Sequence, residues 1–197
     1  MITTTRRPVV ETSFLEGCIC RSFISDKEID NGTLIAKGDL EENEREIYKA
    51  EFDVKKPAYL VADPKGGAED YTYEMKYDEA FHTNEACVVF RGYKLLKDRR
   101  YRVTSDITAD KLVEGDFVVS DENGRLKKAA SADNPGNAFV GVIRKVDYTG
   151  FGHHVGSAGV VSTAVTKYLV EVLKNDEVIC FSRTPPSVPD IIAKCRF

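Results

Sequence analysis

The sequence has no tryptophan and only two methionines and three histidines in 197 residues, so its aromatic content rests on nine tyrosines and ten phenylalanines. Tyr and Phe suit strands and interfaces alike. No apolar run approaches the roughly 20 residues a transmembrane helix needs. The opening MITTTRRPVVETSF has no apolar stretch of signal-peptide kind, so the expectation is a chain kept in a reducing cytosol or in something assembled there. Cys18, Cys20, Cys87, Cys180 and Cys195 are odd in number and follow no small-scaffold spacing, which argues against a disulfide framework. Most of them are expected to be small buried hydrophobes. Charge of one sign is also lacking: 28 basic residues face 32 acidic ones, net −4, so no global pull toward nucleic acid is expected. With 42% hydrophobic residues the chain can still bury a core, in one domain or two small ones.

What is present is a series of short β-favouring runs separated by turns. Leu112–Val146 organises them: Phe117-Val118-Val119 is a strand, Asp121-Glu122-Asn123-Gly124 has turn chemistry, and Leu126–Ala130 returns. A second turn cluster, Asp133-Asn134-Pro135-Gly136-Asn137, leads into Phe139–Val146, which has apolar groups for both faces. Together these predict a three-stranded β-meander.

Upstream, residues 1–13 read as an extended arm, either a loose terminus or a strap laid on a neighbouring subunit. Phe14–Ile24 reads as a strand, Asp30-Asn31-Gly32 as a turn and Thr33–Ala36 as the next strand. Glu41 to Glu46 is a solvated acidic turn, after which Tyr48, Ala50, Phe52 and Val54 alternate with charged residues, the period of a half-buried strand. Ala58–Ala62 is a short apolar strand. Tyr71, Tyr73, Met75 and Tyr77 line one face of another, as core or as a sticky surface for a partner. Ala86–Phe90 predicts a buried strand containing Cys87, broken by Arg91-Gly92. Lys94, Lys97, Arg99, Arg100 and Arg102 make the most basic stretch, either a solvated strand edge that discourages unwanted pairing or a docking face.

Downstream, Thr108–Leu112 allows one helical turn, and Tyr148–Gly159 reads as a flexible glycine-rich insertion. Val160–Thr166 and Lys167–Leu173 are strands, the second alternating Tyr168, Val170 and Val172. Val178–Phe181 is a last core strand, and Pro185, Pro186 and Pro189 make the C-terminus a second extended tail. The fold class that results is mainly β: a β-barrel or β-sandwich of about ten short strands, with an extended N-terminal arm (1–13) and a Pro-rich C-terminal tail (183–197). The body spans 14–182, with a sub-boundary near 105–112.

Candidate chemistry is thin. Gly150-Phe-Gly152-His-His-Val-Gly156 has the spacing GxGxxxG and precedes β-favouring residues, whereas a phosphate-cradling loop opens a helix. Cys18 and Cys20 share a strand face, and His153-His154 would be needed to complete a zinc tetrahedron, but a CxxC knuckle is missing. A Cys87–His82 nucleophile would need an accessible thiolate, which a buried strand denies. No cofactor, no metal and no catalytic residue is expected, and the chain does not read as an enzyme.

The segment from Pro57 to Ile107 carries Tyr77-Asp78-Glu79, Phe81 followed by Glu85-Ala86, Arg91-Gly92-Tyr93-x-Leu95 and a strand ending Val103-Thr104. This pattern resembles structural proteins of tailed bacteriophages. Val113-Glu114-Gly115-Asp116-Phe117 with Phe139-Val140-Gly141-Val142-Ile143 resembles the β-barrels of phage head decoration, or cement, proteins, and the likeness covers about half the chain. It implies a non-enzymatic virion structural protein that binds the major capsid protein on the capsid surface, assembled in the host cytoplasm, as a homo-oligomer with a trimer favoured. Neither nucleic acid nor membrane is an expected partner. The residues proposed for capsid or subunit contact are Arg6, Arg7, Lys94, Lys97, Arg99, Arg100, Tyr71 and Tyr73. The alternative is a small-ligand or glycan-binding β-barrel whose mouth is lined by the tyrosine row and the Gly150–Gly159 segment.

Overall fold

Alternating apolar and polar residues without helical period give strands throughout the computed structural model: β1 (Val10–Glu11), β2 (Cys20–Ile24), β3 (Leu34–Leu40), β4 (Ile47–Glu51), β5 (Ala58–Val61), β6 (Phe90–Lys94), β7 (Arg100–Thr104), β8 (Phe117–Ser120), β9 (Leu126–Ala129), β10 (Phe139–Gly156) and β11 (Gly159–Asn175). The structure describes residues 7–15, 17–63, 82–134, 136–156 and 159–176. The expected Tyr71–Tyr77 row, the Val178–Phe181 strand, the Pro-rich tail and Arg6 lie outside them.

The strands form two sheets. One closes into a five-stranded barrel in the order β2-β4-β3-β5-β6, with β6 returning to β2. The β2–β4 pair is parallel and the rest are antiparallel. The other is an open six-stranded sheet in the order β1-β7-β11-β10-β8-β9, antiparallel throughout. The chain passes from barrel to sheet between β6 and β7, while β1 reaches back to pair Val10 with Val103.

Strand β5 explains how the two layers meet. All four of its residues are buried. Tyr59 and Val61 face the barrel interior with Phe23, Ile29, Ile35 and Phe90, whereas Ala58 and Leu60 join a second core against the open sheet. Side chains alternate across a strand, so a strand buried on both faces reads as a continuous apolar run, as Ala58–Ala62 does. The shared core adds Tyr101 and Val103 of β7, Phe139 and Ile143 of β10, and Tyr168, Val170 and Val172 of β11.

Several expectations need correcting. Leu112–Val146 is not a meander: β10 pairs with β8, Val140 opposite Val119, and leaves β9 on the far edge. Phe139 to Ile143 are buried without interruption, so β10 belongs in the middle of the sheet, while Lys127 and Lys128 of β9 tolerate an edge. Phe14–Ile24 is a single turn of 3-10 helix at Thr12–Leu15 followed by β2 from Cys20. The helical turn expected at Thr108–Leu112 is a 3-10 turn at Ser105–Ile107.

Arg91-Gly92 does not break the chain but lies inside β6. A Cβ at Gly92 would stand 2.7 Å from the Phe23 ring, so the glycine makes room for the barrel's central aromatic. Cys87 and Cys20 are exposed and Cys18 is half-buried, against the expectation of core cysteines. Cys87 sits in a turn at φ 60°, with Val88 and Val89 also exposed, and the strand begins only at Phe90. Finally, Tyr148–Gly156 is no loop, since β10 continues through it and pairs with β11, which begins at Gly159.

Candidate assembly surface

The outward face of the open sheet carries a ladder of ion pairs. Apolar residues at Tyr101, Val103, Tyr168, Val170 and Val172 point inward, which turns Arg100, Arg102, Lys167 and Glu171 to the other face. Glu171 accepts from Arg100 Nε at 2.7 Å and from Arg144 Nη2 at 2.8 Å, linking β7, β11 and β10. Arg102 bridges Glu11 of β1 and Asp147 of β10, both at 3.1 Å; Lys145 meets Asp147 at 2.7 Å, and Lys167 also pairs with Glu11. Four adjacent strands are thus tied across their backs.

These contacts depress carboxylate pKa values. The Arg144 and Arg100 guanidiniums hold Glu171 below its ordinary value, and the Lys145 ammonium does the same for Asp147. A carboxyl whose folded pKa is lowered contributes stability that is present above its unfolded value, about 4.3 for Glu, and is lost as pH falls through the folded value. Thermal unfolding between pH 7 and pH 3 should therefore show the midpoint dropping in the acid range. Glu171→Gln should lower the pH 7 midpoint and flatten that drop. An unchanged profile in the variant would remove the ladder from the stability of the sheet.

Beyond the ladder the sheet narrows to two strands. β8 pairs with β10 at Val140, Gly141 and Val142, and β7 pairs with β11 from Lys167 to Glu171. Val146 N–H donates to the Glu114 carboxylate at 3.2 Å. From Tyr148 onward, among the described residues, β10 and β11 pair with one another alone, from Tyr148 opposite Thr166 to Gly156 opposite Gly159. Nine residues of strand at ~3.3 Å each give a ribbon roughly 30 Å long.

The composition of this ribbon is unlike the rest of the chain. Tyr148–Thr166 is 19 residues without Asp, Glu, Lys or Arg, where the chain's 30% charged average would put about six. Tyr148, at its root, is 75% exposed. A two-stranded hairpin alone is marginal in water, and strand edges on a protein surface are normally guarded by lysine, proline or brevity. The other sheet edges obey that rule: β9 presents Lys127 and Lys128, and β1 is two residues long. The ribbon has no such guard.

The residues picked out from the sequence scatter over the body. Arg7 pairs with Glu28 at 2.8 Å and Asp30 at 3.1 Å, holding the N-terminal segment to its own barrel. Lys94 ends β6, and Arg100, on β7 between β1 and β11 rather than at a solvated edge, is occupied by Glu171 of β11. Lys97 and Arg99 are exposed in the turn between β6 and β7. Tyr71 and Tyr73 lie outside the described residues.

Of the alternative ligand-binding barrel, the tyrosine row lies outside the described residues, and the described part of the interior is filled. Phe23, Phe90, Tyr59, Ile35 and Val61 fill the barrel, with Phe23 meeting Tyr59 edge-on at 5.2 Å and stacking on Phe90 at 6.3 Å. Gly150–Gly156 is paired into the open sheet and not into the barrel. A groove of about 820 Å³ runs along the β8–β9 hairpin, but charged residues such as Asp121, Glu122, Arg125 and Lys127 line it, unlike the mostly apolar pocket of a small-molecule site. Among the described residues no three His, Cys, Asp or Glu side chains gather as metal ligands. No family model matches the chain, and no match was found among curated proteins.

Proposed function

We propose that this chain is a structural assembly protein, a decoration component of a tailed-bacteriophage capsid that binds the major capsid protein and acts without catalysis. The observation that carries this reading is the long uncharged ribbon mounted on a cross-braced sheet. Such an element gains nothing in isolation and fits a protein whose work is done by contact. The phage-like sequence pattern supplies the partner class. The exposed Lys97 and Arg99 at the β6–β7 turn supply a basic corner for an acidic shell.

Cosedimentation of the full chain with purified capsids of its phage tests this. The chain should pellet with the capsids, and Lys97→Glu with Arg99→Glu should weaken binding and reduce its dependence on salt, since screening acts on exposed charges. A chain that stays in the supernatant at every salt concentration overturns the proposal. Unaltered affinity in the variant moves the docking face elsewhere.

A further inference from the structure

We infer that the outer β10–β11 ribbon is the contact through which copies of this chain associate with one another. The inference rests on the assembly reading for its biological setting but not for its physics. Among the described residues no strand pairs with either outer edge of the ribbon, so both offer backbone N–H and C=O groups to a further strand, and such edges template pairing with another chain. An identical edge is the partner that this composition suits best. Two copies carry the same net charge of −4, and Tyr148–Thr166 brings no like charge opposite itself.

Geometry favours the same occupant. A two-fold axis brings one edge against its own copy antiparallel, which gives a self-complementary interface. The edge on β10 runs nine residues, Tyr148 to Gly156, long enough for a continuous antiparallel ladder with its copy. The exposed Tyr148 at its root is of the residue type that anchors such contacts. The ion-pair ladder fixes the root of the ribbon, so ordering it on association costs less than ordering a loose loop.

The test compares masses of the purified full chain and a shortened one, both without capsids. In the shortened chain Thr149–Val165 is replaced by Asn-Gly, which leaves Tyr148 opposite Thr166 to close a two-residue hairpin turn. A second variant, Val155→Lys with Val161→Lys, keeps the ribbon and adds guard charges to it. By light scattering the full chain should form a discrete oligomer, a small multiple of 22.0 kDa, while both variants run as monomers with the thermal midpoint of a folded body. Amide exchange in residues 149–156 should slow as the full chain is concentrated and stay unchanged in the lysine variant. A full chain that is monomeric at all concentrations overturns the inference, even if another segment of the same chain protects the ribbon amides. Polydisperse aggregates, or a shortened chain of undiminished oligomeric order, overturn it equally. Capsid cosedimentation of the monomeric variants is read separately and bears on the assembly reading alone.

Discussion

Replacing Asn175 by alanine should lower folding stability by about 4 kcal/mol, more than most single substitutions in this chain. Asn175 closes β11 and is buried, with its side-chain amide turned from the open sheet into the barrel. Its Oδ1 accepts from Ala58 N–H at 2.7 Å, and its Nδ2 donates to Ala58 C=O at 2.9 Å and to Leu95 C=O at 2.7 Å. The amide thereby acts as one residue of an extra strand at the start of β5. Removing it strips hydrogen bonds from main-chain groups in the shared core, and each buried group left unmade costs about 1–3 kcal/mol. Urea denaturation followed by circular dichroism measures the loss; a change under about 1 kcal/mol would mean that water replaces the amide at little cost. Asn175→Asp separates donor from acceptor. An aspartate there accepts from Ala58 but cannot, when ionised, donate to either carbonyl. Burial raises its folded pKa above the unfolded value of about 3.9, so this variant should lose stability as pH rises through that value.

Nothing local in the sequence announces this role. Asn175-Asp176 carries ordinary turn chemistry, and the partner Ala58 lies 117 positions away. The parts of the fold that were legible are those in which burial leaves a periodic trace: the unbroken apolar run of β5, the alternation of Tyr168, Val170 and Val172, and the Asp30-Asn31-Gly32 turn, which closes with Thr33 N–H to Asp30 C=O at 3.3 Å. Strand order left no such trace. Whether β10 lies beside β8 or β9 depends on long-range pairing, and the strand that takes β10's other edge, β11, comes later in the chain. The ribbon was missed for a different reason. Glycine is depleted in strands, so Gly150, Gly152, Gly156 and Gly159 read as a loop. The informative signal there was the absence of charge over 19 residues, which marks an element meant to be covered. Cys87 was misplaced because Val88, Val89 and Phe90 look like one buried strand, although only Phe90 reaches the barrel core.

Gly124→Ala should be the second most damaging of these changes, and comparison with Gly115→Ala shows why. Both glycines have positive φ, 72° and 89°, so a side chain at either meets the left-handed penalty of roughly 1–2 kcal/mol. Gly115 has nothing within 4 Å of the added Cβ, and its cost should stop there. Gly124 lies in the β8–β9 turn, pressed against the first residue of β3: its carbonyl accepts from Leu34 N–H at 2.7 Å, and an added Cβ would stand 2.4 Å from the Leu34 carbonyl oxygen. Backbone meets backbone there, so no rotamer change relieves the overlap. The turn must withdraw from the barrel, giving up the Leu34 hydrogen bond and loosening Leu126 in the shared core. The expected loss is about 3–4 kcal/mol for Gly124→Ala against about 1–2 for Gly115→Ala, read from paired urea titrations. Equal losses would mean that the hairpin leans on the barrel without being held by it. A large gap would make Gly124, together with Asn175 and the Ala138 N–H bond to Val54 C=O at 2.7 Å, a polar fastening between barrel and sheet, and so part of the reason the ribbon has a rigid base from which to extend.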